Sequence, residues 1–441
     1  MSLAPSRLLA ACFAAVLALA PCASGAAEPG APSAPGAYAG SEPDAAWRQA
    51  AADRIETYRK ADLAVVVQAA DARLLAGAAV KVRMTRHAFG FGSAVAAMPL
   101  ALETEDARRY RDTVKRLFNK VVFENDLKWP QWEDTHNREW TIQALRWLGQ
   151  QGIAVRGHCL VWPSWRHVPK DVQGLKDKPE ALGDRVRQHV WDEVGALKGR
   201  IAEWDVVNEP YSEHDLMDAL GTKEKTGEDV MAEWFQWARQ ADPGAELYLN
   251  DYGILSAGGT DAAHQDAYEK TLRSLLEKGA PLGGIGLQGH FGRNLTPPER
   301  LLAVLDRFAA LDRPLQVTEF DVDIADERLQ ADYLRDFLTV CFSHPKVKGV
   351  LMWGFWEGRH WKPRAALFRK DWSVKPNGQA WMDLVLKAWW TEAEGKTDAA
   401  GRFRARGFLG RYDVTAEAEG KTKTVTIDLP AGGTIFTLAL D

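Results

Sequence analysis

The chain has 441 residues, a formal net charge of −5 at pH 7, 26% charged residues and 46% hydrophobic ones. That length suits one large barrel with additions, or two to three ordinary domains. The near-balanced charge provides no basic stripe, so no nucleic-acid partner is expected. Four cysteines are too few for a disulfide scaffold of this size.

Residues 1–25 read as a signal peptide. Arg7 supplies a thin positive region, residues 8–20 an apolar stretch too short to span a bilayer, and Ala23-Ser24-Gly25-Ala26-Ala27 the small residues that suit cleavage. A secreted or periplasmic chain follows, with no membrane segment after cleavage; lipid attachment at Cys22 is disfavoured by Pro21 before it. Residues 26–45, rich in Ala, Pro, Ser and Gly, are expected to be a disordered linker. Residues 46–86 follow as an N-terminal β flank, with strand-like runs at 62–68 and 80–84 around a Gly77 turn.

From 87 to 395, short apolar runs alternate with amphipathic helical stretches. The runs lie at 89–94, 120–124, 154–159, 201–208, 246–250, 284–288, 315–319 and 349–353, and the helices between them include 106–118, 141–150, 228–240, 264–278 and 329–341. Thr296-Pro297-Pro298-Glu299 reads as a further helix start with a Thr cap. Continuously apolar runs suit parallel strands buried on both faces, and eight such units make a (β/α)8 TIM barrel, an α/β fold, the expected architecture. A doubly wound sheet lacks the Gly-rich phosphate turn after its first strand. Residues 396–441 form a C-terminal β flank: Val425, Ile427 and Leu429, then Phe436, Leu438 and Leu440, alternate with polar residues around Pro430-Ala431-Gly432-Gly433 in antiparallel fashion. The two flanks are expected to join in one small accessory β-domain. Beyond the signal region only Cys159 and Cys341 remain, expected as two buried thiols.

Barrel enzymes place their chemistry at the C-terminal ends of their strands. There the chain offers Glu124-Asn125 with Lys128, then His158 with Trp162, Asn208-Glu209, Asn250-Asp251-Tyr252, Gln288 with His290, Glu319 with Asp321, and Trp353. Glu209 and Glu319 each close an apolar run, a costly position for a carboxylate unless it is paired or used. Two of them, on the fourth and seventh strands, point to the acid and nucleophile of a glycoside hydrolase. No Cys/His cluster has zinc spacing, and no metal or organic cofactor is expected. Of the 18 Trp residues, Trp234, Trp237, Trp389 and Trp390 read as packing groups, whereas Trp132, Trp165 and Trp356 stand evenly between packing and ligand contact.

These motifs, in this order over roughly residues 87 to 392, resemble glycoside hydrolase family 10, the endo-1,4-β-xylanases. The resemblance implies a retaining enzyme that cuts internal bonds of xylan or xylo-oligosaccharides; the signal region adds the expectation of secretion, and a monomer is expected. Glu319 would be the nucleophile, hydrogen-bonded by His290, which Asp321 would orient. Glu209 would be the general acid, then base, with Asn208 beside it for the 2-hydroxyl of the reacting sugar. Glu124, Asn125, Lys128, His158 and Trp162 would bind sugar on the non-reducing side; Gln288 would face the acid, Trp353 and Trp361 would form floor and wall, and Tyr252 would lie toward the leaving group. The chain departs from the family pattern at Pro163, where a second His is common, and at Lys362, where Arg is common. The rival expectations are a retaining barrel β-glucanase or other β-glycanase, and a non-catalytic carbohydrate-binding protein.

Overall fold

The computed structural model describes residues 37–441; the expected signal peptide, and the expected linker up to residue 36, lie outside the described residues. Two strands come first, β1 (Lys60–Ala69) and β2 (Ala79–His87). Eight parallel strands then close a barrel: β3 (Gly90–Val95), β4 (Lys120–Phe123), β5 (Ala154–Val161), β6 (Glu203–Asn208), β7 (Glu246–Asp251), β8 (Gly284–Phe291), β9 (Leu315–Val322) and β10 (Val347–Met352). Each pairs with its neighbour in sequence, and β10 pairs with both β9 and β3. β6 and β9 are buried along their whole length, as runs apolar on both faces require. Because all eight run one way, the polar ends read from the sequence meet at one mouth.

The lumen is not filled with aliphatics alone. Arg156, fully buried, donates to Glu203 (2.9 Å) and to both oxygens of Asp205. Lys120 reaches Glu203 (2.8 Å) and Gln316 (3.0 Å). Burial alone would raise the Glu203 pKa, but Lys120 and Arg156 outweigh it and hold the carboxyl down at about 2. Each buried charge is thereby paired, the condition under which it is tolerated. Asp205 also accepts from His158 Nδ1 (2.9 Å), so the ladder ends at a residue of the mouth.

The helices at 105–117, 135–150, 227–241, 262–277 and 327–343 match the expected ones in place, while Pro179–Ala196 was not read from the sequence. The helix after Thr296 starts as Pro298–Ala309, but Thr296 does not cap it: its hydroxyl, buried, donates to the Leu255 carbonyl, and Pro297 takes the cap position. Both Cys159 and Cys341 are buried free thiols.

The flanks pack together, but as two sheets. Strands β11 (Glu392–Lys396), β12 (Arg402–Phe408), β13 (Gly410–Ala418), β14 (Lys421–Leu429) and β15 (Thr434–Leu440) divide between them, giving β12-β1-β15 and β11-β2-β13-β14. The expected antiparallel pairing across 430–433 does not form. β14 pairs with β13, and β15 crosses to run parallel to β1, Leu63 opposite Thr434 through Ala69 opposite Leu440. Gly433 makes the crossing possible: its φ is +76°, and a Cβ there would lie 2.8 Å from the Asp62 carbonyl oxygen.

The N-terminal side also departs from expectation. Residues 46–86 open with a helix, Ala46–Tyr58, not a strand. Within the expected linker, Tyr38 is buried and donates to Asp336 Oδ2 (2.7 Å), and Arg48 grips the same carboxylate through both Nη1 (2.6 Å) and Nη2 (2.8 Å). A long-range pair of this kind carries no local sequence signal. The Asp336 side chain is only 2% exposed, so Arg48→Met should leave it buried with Tyr38 alone. We expect the urea midpoint to fall by the equivalent of about 2 kcal/mol, below the full cost of breaking a buried pair because Arg48 is partly solvated. An unchanged midpoint would contradict this role.

Candidate active site

The mouth holds a cleft of about 570 Å³. Its lining includes Glu209 and Glu319 with Asn208 and His290, and also Glu124, Asn125, Lys128, His158 and Trp162. Gln288, Tyr252, Trp353 and Trp361 complete the set read from the sequence. Asp321 alone of that set does not line the cleft; it is fully buried behind His290.

The two carboxylates stand in different surroundings. Glu319, at the seventh barrel strand, is buried, which by itself raises its pKa. The hydrogen bond from His290 Nε2 (3.1 Å), the charges of His158 and His290, and the Asn250 amide (2.8 Å to Oε1) outweigh that and hold it below the ordinary carboxylate range. His290 is fixed from its other side, where Nδ1 donates to Asp321 Oδ2 (2.8 Å). Burial would lower its pKa, but Asp321 and Glu319 together raise it to about 9, which favours the charged ring. Trp361 Nε1 donates to the same Asp321 oxygen (2.8 Å), which ties the aromatic wall to the nucleophile's support.

Glu209 directly follows the fourth barrel strand and lies in the left-handed region, φ +57°. A non-glycine residue there costs on the order of 1 kcal/mol and recurs where function fixes a side chain's direction. Burial raises its pKa; the Gln288 amide (2.9 Å to Oε1) opposes this, and the negative Glu319 and Asp251 add to it, for a net rise. One carboxyl is thus biased toward its ionised form and its neighbour toward its protonated form.

A chain of amides joins them. Asn250 Nδ2 donates to Glu319 Oε1 and to Asn208 Oδ1 (2.9 Å), and Thr318 Oγ1 donates to Asn250 Oδ1 (2.7 Å). The Asn208 Nδ2 group is buried with no partner among the described residues, a donor still to be satisfied in the cleft. The sequence placed Asn250 at a strand end but assigned it no task; its link to both Asn208 and Glu319 is long-range. Ser212, Glu213, Gly253 and Ser256 also line the cleft, and they follow the fourth and fifth strands in loops that carry no motif.

The walls are aromatic and cationic. Lys128 donates to Asn125 Oδ1 (2.9 Å) rather than to Glu124, and its ammonium lies 5.0 Å from the Trp162 ring centre. His167 stacks on Trp162 (3.6 Å between centres, 10° between planes), so an imidazole covers this ring although Pro163 follows it in sequence. Lys362 Nζ lies 4.0 Å from the Trp361 ring and 3.6 Å from Asp321 Oδ1. Trp353 meets His158 edge-on (5.2 Å) and is nearly buried, whereas Trp361 is 48% exposed. Among the other tryptophans, Trp234 and Trp389 are core, Trp237 and Trp390 pack against it, Trp132 is buried with Nε1 on Asp192, Trp165 packs partly buried, and Trp356 stacks on Trp372.

A closed parallel barrel with two carboxyls of oppositely shifted pKa facing one cleft at the strand ends is the arrangement of a two-carboxylate glycosidase. Residues 81–384 match the sequence profile of glycosyl hydrolase family 10, and the chain belongs to that family. It is 32% identical over 404 residues to the anti-sigma-I factor RsgI6 of Acetivibrio thermocellus, covering 89% of this chain and 50% of that protein. It is 30% identical over 389 residues to endo-1,4-beta-xylanase 1 of Arabidopsis thaliana, covering 87% of this chain and 39% of that one. The chain therefore spans half or less of the length of these relatives. Xylanase 10B of Thermotoga petrophila RKU-1, solved in complex with xylobiose, superposes with a TM-score of 0.59 at 28% identity, covering 68% of this chain and 95% of that one.

Proposed function

We propose that the protein is a secreted, retaining endo-1,4-β-xylanase. The observation that carries this is the split between the two carboxyls: Glu319 held ionised by His290 and Asn250, Glu209 biased toward its acid form by burial and by Glu319. Glu319 attacks the anomeric carbon, forming a covalent glycosyl-enzyme, while Glu209 gives its proton to the departing oxygen. Ester formation removes the Glu319 charge, one of the causes that raise the Glu209 pKa. With that charge gone the Glu209 pKa falls, so the carboxylate left after proton transfer stays ionised and is available to take a proton from the water that releases the sugar. Asn208 offers its free Nδ2 to the 2-hydroxyl, a contact that gains strength as charge develops. Xylan as substrate is supported by the xylanase relatives and by the xylobiose held in the Thermotoga petrophila structure; export rests on the apolar stretch after Arg7.

The retention of both carboxyls in different electrostatic surroundings favours catalysis. Initial rates on xylan and on carboxymethylcellulose test the proposal: we expect measurable release of xylo-oligosaccharides and little from the glucan. Equal rates would move the assignment to a general β-glycanase, and no hydrolysis of either would overturn it.

A further inference from the structure

The wall formed by Lys128 and Trp162 is built from two separate segments, one following β4 and one following β5. Neither segment hydrogen-bonds to the other through its backbone beyond the short β4–β5 register, which ends at Val122 opposite Arg156. Besides the Lys128–Trp162 contact at the front, a second join lies behind the wall, on the helix Pro179–Ala196. His189, fully buried at its side chain, stacks face to face on Trp129, with ring centres 4.1 Å apart and planes 5° apart. Its Nε2 lies 2.8 Å from the Leu160 carbonyl oxygen. A carbonyl only accepts, so Nε2 carries the proton. Trp129 directly follows Lys128, and Leu160 lies two residues before Trp162. Arg185, one turn earlier on the same helix, sits 5.3 Å from the Trp129 ring and pairs with Glu133, to which Trp129 Nε1 also donates.

We infer that His189 is a positioning residue of the cleft, locking Lys128 and Trp162 into one rigid wall for the sugar on the non-reducing side of the reacting one. This rests on the proposed xylan-cutting function of the cleft. His189 touches no substrate; it acts through the ring of Trp129 and the carbonyl of Leu160. Preorganisation of this kind matters because displacement of a binding contact by about 1 Å can cost as much as about 10²-fold in rate.

The test uses the full chain and two substrates with the same aryl leaving group, a β-xyloside that fills only the reacting position and a β-xylobioside that also meets the wall. His189→Phe keeps the ring against Trp129 and loses the donor; His189→Gln keeps a donor and loses the stack. For both variants we expect kcat/KM on the xylobioside to fall about tenfold, mainly through KM, with the xyloside changed less than about twofold. Because each variant retains one of the two contacts, either one that folds carries the test. Equal losses on both substrates would mean a structural role only and would overturn the inference, as would unchanged kinetics on the xylobioside. Wild-type protein that hydrolyses neither substrate would overturn the proposed function, and the inference with it.

Discussion

Glu319→Ala should reduce turnover on xylan and on aryl xylobiosides by roughly 10⁴-fold or more, the scale of losing the nucleophile in covalent catalysis. The substitution removes the atom that bonds to the sugar, and no other described group replaces it: Asn250 and His290 donate toward this position and cannot attack. The loss should be equal on activated and unactivated substrates. Added azide should recover part of the activity by entering from the vacated face, giving a sugar azide of inverted configuration. Initial rates with NMR of the product check both points. Activity within tenfold of wild type would remove Glu319 from the role of nucleophile.

Glu209→Ala should behave differently, because an acid matters in proportion to how poor the leaving group is. On xylan the loss should be about 10²- to 10⁴-fold, the usual contribution of general acid–base catalysis. On a xylobioside with an acidic phenol as leaving group, the first step needs little protonation and should proceed. The second still lacks its base, so a burst followed by a slow phase is expected, and azide should give a product of retained configuration. The pH profile carries the same asymmetry. In the wild type, Glu319 must be ionised, so the rate falls as pH drops through a pKa held below the ordinary carboxylate range. Glu209 must be protonated, so the rate falls as pH rises through a pKa pushed above that range. The variant should lose the second limb and keep the first; retention of the basic limb would assign it to another group.

The barrel was legible because its signals are local. Each strand is a short run largely buried on both faces, and the second to seventh runs end in polar groups that burial would penalise unless they were used. Glu209, Glu319 and His290 therefore sit where the strand order marks them, whereas Trp361, nine residues past the last barrel strand, follows only from the family resemblance. What escaped was long-range. Arg48 and Tyr38 meet Asp336 across nearly 300 residues of chain, and nothing near either end announces it. β14 and β15 read as partners because they alternate around a Gly-rich turn, yet β15 gains a parallel neighbour in β1, a pairing set by tertiary packing. Thr296 has the sequence of a cap and spends its hydroxyl on Leu255 because it is buried there. Asn250 escaped for a related reason: its value lies in two contacts from other strands, Asn208 and Glu319.

The most direct measurement is the configuration of the first product. Proton NMR of xylo-oligosaccharide hydrolysis, followed before mutarotation, should show the β-anomer appearing first and the α-anomer growing in later. This order follows if Glu319 forms a covalent intermediate, which places the two carboxyls at the short separation of about 5–5.5 Å that retaining glycosidases share. An α-anomer appearing first would mean direct attack by water and would contradict the assignment of Glu319 as nucleophile.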